Sequence, residues 1–316
     1  MDYKKYIKSL LSVAVVVVFV LFFYREFRAN WESVRTFHLE INWGYIVLGI
    51  FMMIANYLCV TLSWHIGINY FDNQEKLKFT QSIALVNISQ LGKYIPGKLW
   101  SYVVQIYWLA SKGVSKTTAL YLNVMTTILP IIVSLLTGSI LLMILPEWHY
   151  LRNELLIFIC FLLIINLIIF NRKLLNYFLK IFSRISGRSI MFQQFSSSRI
   201  IYMELLYVLG AFFWALAGCS IAIGIGLNLD GMKAIFVSSA MLLGDVIGFL
   251  ILVAPGGLGV REGTMYFILR SAGVIQLALI FPIVVRLFSI ITDLIMGIIS
   301  VMIISRSKYY FGNGKK

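Results

Sequence analysis

The chain has 316 residues, 60% of them apolar and 13% charged, with a mean hydropathy of +0.89. Soluble domains run at roughly 45–50% apolar and about 25% charged, so the composition excludes an ordinary soluble enzyme or binding module and points to a polytopic membrane protein. The formal net charge of +14 does not mark a nucleic-acid binder, because the Lys and Arg residues lie between apolar spans rather than on one basic face.

A membrane span needs about 20 apolar residues. The first candidate, Ile7–Tyr24, has Lys4, Lys5 and Lys8 around its start. Its apolar run is longer than a secretory h-region, and Arg25-Glu26 stands where small cleavage-site residues belong, so an uncleaved span is expected. Trp43–Trp64 is the second span. Phe79–Ala110 differs: an apolar run, a break at Ile95-Pro96-Gly97-Lys98, and a second run too short to cross. Thr118–Leu145 and Glu154–Phe170 are further spans, and Asn171–Arg199 is basic and partly amphipathic. After the span Ile201–Gly226, Met232–Ala272 repeats the interrupted pattern around Ala254-Pro255-Gly256-Gly257-Leu258, and Gln276–Ile304 is the last span. Each interrupted stretch reads as a re-entrant helical hairpin, because non-helical backbone at membrane depth persists only when buried in protein or lining a wet cavity.

The expected fold is therefore an all-α polytopic membrane protein with six full spans plus two re-entrant helical hairpins. It forms a single integral membrane domain over 1–316. Residues 43–145 make the first repeat, 154–200 the linking span and basic segment, and 201–304 the second repeat. Each break is followed by a Gly-Val pair, Gly113-Val114 and Gly273-Val274, and then a long apolar helix. Counting spans puts the two hairpins on opposite faces, an inverted-topology repeat of the kind that holds a substrate near mid-membrane. Arg172, Lys173, Lys180, Arg184, Arg188 and Arg199, with no acidic residue among them, place the linking segment in the cytoplasm. Both termini follow it there, in a cell membrane. Arg25, Arg28 and Arg35, on the expected outer side, run against that rule.

Ionisable groups inside a bilayer mark function. The second repeat carries Asp245, Arg261, Glu262, Arg286 and Asp293, while Lys93 and Lys98 flank the first break. Neutral polar residues of the first repeat include Asn87, Ser89, Gln90, Asn123, Thr126 and Thr127. A helix that starts just after Pro-Gly presents unpaired N–H groups and the positive end of its dipole, which attract phosphate or carboxylate. Lys98 and Arg261 add formal charge beside the two turns, and Arg grips phosphate bidentately. Pro96 and Pro255 set the turns, and Gly256, Gly257 and Gly259 let backbone approach a ligand. The same groups can instead be structural, with Arg286 paired to Asp293, Arg261 paired to Glu262 and Asp245, and Glu262 capping its helix. Cys59, Cys160 and Cys219 are isolated and no His has ligand spacing, so neither metal nor cofactor is expected. Gly92-Lys93-Tyr94-Ile95-Pro96-Gly97-Lys98 has the outline of a phosphate loop, but Leu99 replaces its Ser/Thr and no α/β context surrounds it.

Pro255-Gly256-Gly257-Leu258-Gly259-Val260-Arg261-Glu262-Gly263 resembles the flippase-like membrane domain of lysylphosphatidylglycerol synthetases, and the likeness covers nearly the whole chain. That family's first motif, Pro-x-Arg-x-Gly-Glu, falls here on Pro96-Gly97-Lys98-Leu99-Trp100-Ser101, with Lys for Arg and without the Gly and Glu. The resemblance implies lipid flipping, with aminoacyl-phosphatidylglycerol or lipid-phosphate-linked sugars as substrates, and gives weight to Arg261 and Glu262. The soluble aminoacyl-transferase domain of the synthetases is not expected, so neither is synthesis of lysyl-lipid. The expected function is a flippase-like transporter, not an enzyme, that moves an anionic phospholipid or lipid-phosphate-linked sugar between leaflets. Its partners are that membrane lipid and, through it, a lipid- or glycan-modifying enzyme. Two rivals stand beside it. A membrane glycosyltransferase using a polyprenyl-phosphate sugar needs a carboxylate at the outer surface, where only Glu26, Glu32, Glu40, Glu147, Glu154 and Asp230 are available; the other rival is a non-transporting accessory subunit.

Overall fold

The computed structural model describes residues 24, 25, 28, 40–71, 76–94, 100–177, 180, 194–251, 255–273 and 275–306. Among them, regular structure is helical throughout. The order is α1 (Trp43–Ile68), α2 (Phe79–Gln90), a 3-10 turn at Leu91–Tyr94, α3 (Trp100–Ser111) and α4 (Lys116–Ile144). A 3-10 turn at Pro146–Leu151 leads into α5 (Arg152–Phe170), and α6 (Ser197–Gly224) opens the second half. There α7 (Gly231–Leu250), a 3-10 turn at Pro255–Gly257, α8 (Val260–Ser271) and α9 (Ile275–Arg306) complete the described elements.

Six helices are long and apolar enough to cross a membrane: α1, α4, α5 with its preceding turn, α6, α7 and most of α9. Five of them match expected spans. The expected span Ile7–Tyr24 lies outside the described residues save for Tyr24. The sixth is α7, the first arm of the second hairpin, whose 20 residues reach about 30 Å at 1.5 Å per residue. The other arms, α2, α3 and α8, have 12 residues each, or about 18 Å, and fall short of a hydrocarbon core roughly 30 Å thick.

Local chemistry fixes the ends. The side chains of Asn42, Ser115, Ser196 and Asp230 accept from the N–H groups of Gly44, Thr118, Arg199 and Lys233, capping α1, α4, α6 and α7. The Lys233 N–H and ammonium hold the Asp230 carboxyl below its ordinary range. The short arms α3 and α8 both end on a left-handed glycine, Gly113 at φ +82° and Gly273 at φ +76°. Each donates its N–H 3.1 Å to a carbonyl three residues back, Ala110 or Arg270. Gly113 and Gly273 thus terminate the two short arms, as αL glycines do at C-caps.

The two halves interlock by exchange. α1 lies along α6, where a Cβ on Gly49 would sit 2.7 Å from Ile221 and one on Gly224 would sit 2.6 Å from Ile46. Small residues permit this approach, as they do between membrane helices generally. α2 packs on α9, with Ser300 Oγ 3.3 Å from the Ile83 carbonyl and Leu91 against Gly297. α7 packs on α4, with Ser239 Oγ donating to the Gly138 carbonyl at 3.0 Å and Leu243 covering Gly138. Each hairpin's first arm therefore rests on the last long helix of the other half.

Two glycines close the tip of the second hairpin. A Cβ on Gly248 of α7 would meet Arg261 Cβ at 2.7 Å and its Cα at 3.2 Å, while Gly257, at φ +71°, faces the Gly248 carbonyl. Gly248→Val forces α8 off α7. The expected loss is about 1–3 kcal/mol, read as a lower thermal midpoint of the purified protein in detergent; an unchanged midpoint would show that this contact does not hold the tip.

Candidate functional site

Every long or short helix except α5 contributes to one cavity of about 290 Å³. Its charged wall is built mainly by the second half. Arg261, near the start of α8, lies with Nη1 3.3 Å from Asp245 Oδ1 and Nη2 3.3 Å from Ser289 Oγ. Its guanidinium carbon sits 5.4 Å from the centroid of the Trp214 ring, a cation–π distance. Both polar contacts are long for charge-assisted hydrogen bonds, and a guanidinium has five N–H donors. The Asp245 side chain is 54% exposed, against 12% for Arg261. Arg261 is thus a buried cation with a loosely held, half-exposed partner.

The other charges are bound more tightly. Arg286 Nη1 donates to Glu262 Oε1, and Glu262 Oε2 accepts the Gly259 N–H at 2.8 Å. Glu262 therefore caps α8 and anchors Arg286 at once, and its carboxylate occupies the positive end of that helix. Lys93 Nζ lies 2.7 Å from Asp293 Oδ2 and 2.9 Å from Oδ1, and the Tyr57 hydroxyl donates to Oδ1 at 2.7 Å. Asp293 is only 2% exposed. It ties α9 to the first hairpin and to α1.

The rest of the polar lining comes from the first half and, Lys93 apart, is neutral. Trp64 Nε1 donates to Gln105 Oε1 at 3.0 Å, and Gln105 Nε2 donates to Ser89 Oγ at 2.7 Å. The Thr127 and Tyr102 hydroxyls are 2.9 Å apart. Asn87 donates to the Ile83 carbonyl at 2.8 Å. Asn123 is 2% exposed, and neither its Oδ1 nor its Nδ2 has a hydrogen-bond partner.

Of the residues singled out in the sequence, Asp245, Arg261, Arg286, Asp293 and Gly256 border the cavity. Glu262 stands behind Arg286. Gly257 and Gly259, at φ +71° and +88°, shape the tip, and Pro255 opens its 3-10 turn. Lys98 and Pro96 lie outside the described residues. Arg286 pairs with Glu262 rather than Asp293: seven residues separate the two on α9, about 10.5 Å along the axis, too far for direct contact. Arg261 pairs with Asp245, as the sequence allowed, and not with Glu262. The sequence places Lys93 beside the first break without a binding role, and it singles out neither Tyr57 nor Trp214. Lys93 carried a signal, a cation between an apolar run and a Pro-Gly break; an aromatic residue within a span carries none.

Among the described residues, no cluster of three His, Cys, Asp or Glu side chains is arranged to hold a metal ion. A family model, the lysylphosphatidylglycerol synthase TM region, matches residues 9–297. No curated protein matches the chain.

Proposed function

The chain belongs to the lysylphosphatidylglycerol synthase TM-region family, and from that premise we propose that it is a flippase-like transporter carrying the anionic head of a membrane lipid between leaflets. The observation that carries this reading is Arg261, a buried cation at the cavity whose carboxylate partner is half exposed and 3.3 Å away. A phosphodiester entering the cavity displaces Asp245 and takes up two parallel N–H donors, a geometry that an arginine offers and a lysine does not. Since Glu262 already occupies the start of α8, Arg261 rather than the helix dipole does the binding.

In this reading α1–α4 and α6–α9 are inverted-topology repeats, each with a re-entrant hairpin entering from an opposite face. Both termini and the basic linking segment are cytoplasmic, and the protein resides in the cell membrane. Access alternates as one half rocks against the other around a fixed central site, and the exchanged packing of α2 on α9 and α7 on α4 makes each hairpin move with the opposite half. The carboxylates of the site each face a cation: Asp245 Arg261, Asp293 Lys93, Glu262 Arg286. That arrangement suits charge balance during transit better than proton abstraction or nucleophilic attack, so the reading is of a transporter rather than an enzyme.

Proteoliposomes containing fluorescent phosphatidylglycerol test it. With a membrane-impermeant reductant outside, the protein is expected to bring inner-leaflet label within reach, whereas protein-free vesicles keep it protected. Protection equal to that of protein-free vesicles would overturn the reading.

A further inference from the structure

α5 is the one helix that adds nothing to the cavity, and only Ile159, Leu162 and Ile169 of it are buried. It nevertheless carries an amide, Asn166, whose Nδ2 donates to Glu204 Oε1 of α6 at 2.7 Å. Neither residue borders the cavity. We propose that Glu204 is a proton-binding site: it is carried as a neutral carboxylic acid whose O–H donates to Asn166 Oδ1, so that acid and amide hold α5 to α6 through two hydrogen bonds.

The first observation is Asn166 Oδ1, which is closed off and has no hydrogen-bond partner. Buried polar atoms nearly always have one, and an exception calls for a physical reason. Because the atom is closed off, neither water nor a lipid headgroup supplies the donor; it comes from a group already in place. The carboxyl that holds the other end of the same amide is that group. Ionised, it only accepts; protonated, it also donates. Turning the amide over does not remove the need, since oxygen would then face oxygen and Nδ2 would lack an acceptor.

The second observation is where the carboxyl sits. Glu204 is the eighth of the 28 residues of α6, about 10 Å from the helix start. Ile201, Leu205 and Val208 beside it are exposed, as are Leu163 and Leu167 beside Asn166, so the pair borders the lipid-facing surface. The other intramembrane carboxylates each face a cation, but among the described residues Glu204 makes no ion pair. α5 has no charged residue after Glu154. On α6, Arg199 lies over the Tyr70 ring and Tyr207 donates to the Thr126 carbonyl. Tyr121 of α4 accepts from the Phe195 N–H, and His65 of α1 bonds Ser82. A carboxyl in such surroundings takes up a proton rather than stay charged.

The proton makes the seam sensitive to pH. Among the described residues, the other hydrogen bond between α5 and α6 runs from Ser197 Oγ to the Phe170 carbonyl at 2.8 Å. When Glu204 gives its proton to water, one of the two bonds to Asn166 is lost and an uncompensated charge is left at the seam. The hold on α5 is therefore complete while Glu204 is protonated and weakens as pH rises through its titration in the folded protein.

Infrared absorption of the purified protein in a maltoside detergent, which has no carbonyl, tests this. At neutral pH the wild-type spectrum minus that of Glu204→Gln is expected to contain the C=O stretch of a carboxylic acid, above the amide band and lowered in D2O. A carboxylate stretch in its place sinks the proposal. Asn166→Leu is expected to raise the frequency of the acid band by removing the Nδ2 donor; an unmoved band breaks the pairing. Glu204→Gln sets amide against amide, donor to acceptor, and is expected to keep the wild-type thermal midpoint at neutral pH. In alkaline buffer the wild-type midpoint falls below that of the variant, whereas parallel midpoints would show that the proton does not hold the seam. Should Glu204→Gln fail to fold, the acid band in the difference between wild type and Asn166→Leu still decides.

Discussion

Arg261→Met is expected to slow lipid translocation in proteoliposomes by at least about a hundredfold, close to 2.7 kcal/mol at 1.36 kcal/mol per factor of ten. Hydrogen bonds to charged groups contribute about 1.5–3 kcal/mol each, and two parallel ones to a phosphodiester account for a loss of this size. The variant is expected to fold. Methionine retains most of the apolar stem that rests beside Trp214, and Asp245, already 54% exposed, is not stranded in a dry interior when its partner goes. Elution as a single species in detergent checks that. Asp245→Asn makes the complementary case. It removes the anion that competes with phosphate for Arg261, so anionic lipid is expected to bind severalfold more tightly. Wild-type translocation by Arg261→Met, or weaker lipid binding by Asp245→Asn, would remove partner exchange at Arg261 from the mechanism.

What the sequence disclosed about the fold follows from the range of the interactions involved. Spans are legible because an apolar run of about 20 residues has few other uses, and five of the six span-length helices coincide with such runs. The ends of α3 and α8 were equally legible, since the φ values at Gly113 and Gly273 are ones that only glycine adopts readily. The arm lengths were half legible: Pro96 and Pro255 marked the breaks, but nothing local showed that α7 would run the full 20 residues to Leu250. The exchange of hairpin arms between halves was not legible at all. It rests on pairs such as Ser239 with Gly138 and Ser300 with Ile83, contacts between residues far apart in sequence. The site divides in the same way. Charges inside apolar sequence drew attention to Asp245, Arg261, Arg286 and Asp293, but their pairing depends on which helix faces which, and Arg286 met Glu262 instead of Asp293. Asn123 stood in the sequence among several neutral polar residues; only burial without a partner sets it apart.

Asp293→Leu is expected to lower the stability of the protein by about 2–3 kcal/mol and to loosen the two halves. Removing one member of a fully buried ion pair costs roughly 3–5 kcal/mol, and Lys93 keeps 32% of its side chain exposed, which lets water take over part of the carboxylate's work. Tyr57 loses its 2.7 Å acceptor as well. Asp293→Asn, which retains an oxygen able to accept from Tyr57, is expected to lose about 1 kcal/mol. Because the carboxylate joins α9 to the first hairpin, the loss belongs to the pair and not to either residue alone. Lys93→Met made in the Asp293→Leu background is therefore expected to cost far less than the same change made alone, with a coupling of about 1–2 kcal/mol in thermal or denaturant unfolding in detergent. A latch between halves also leaves a functional trace: with it cut, the halves separate more readily and translocation becomes less dependent on bound headgroup. Strict additivity of Lys93→Met and Asp293→Leu would mean that the 2.7 Å contact contributes nothing to holding the halves together, and the rocking motion would need a different restraint.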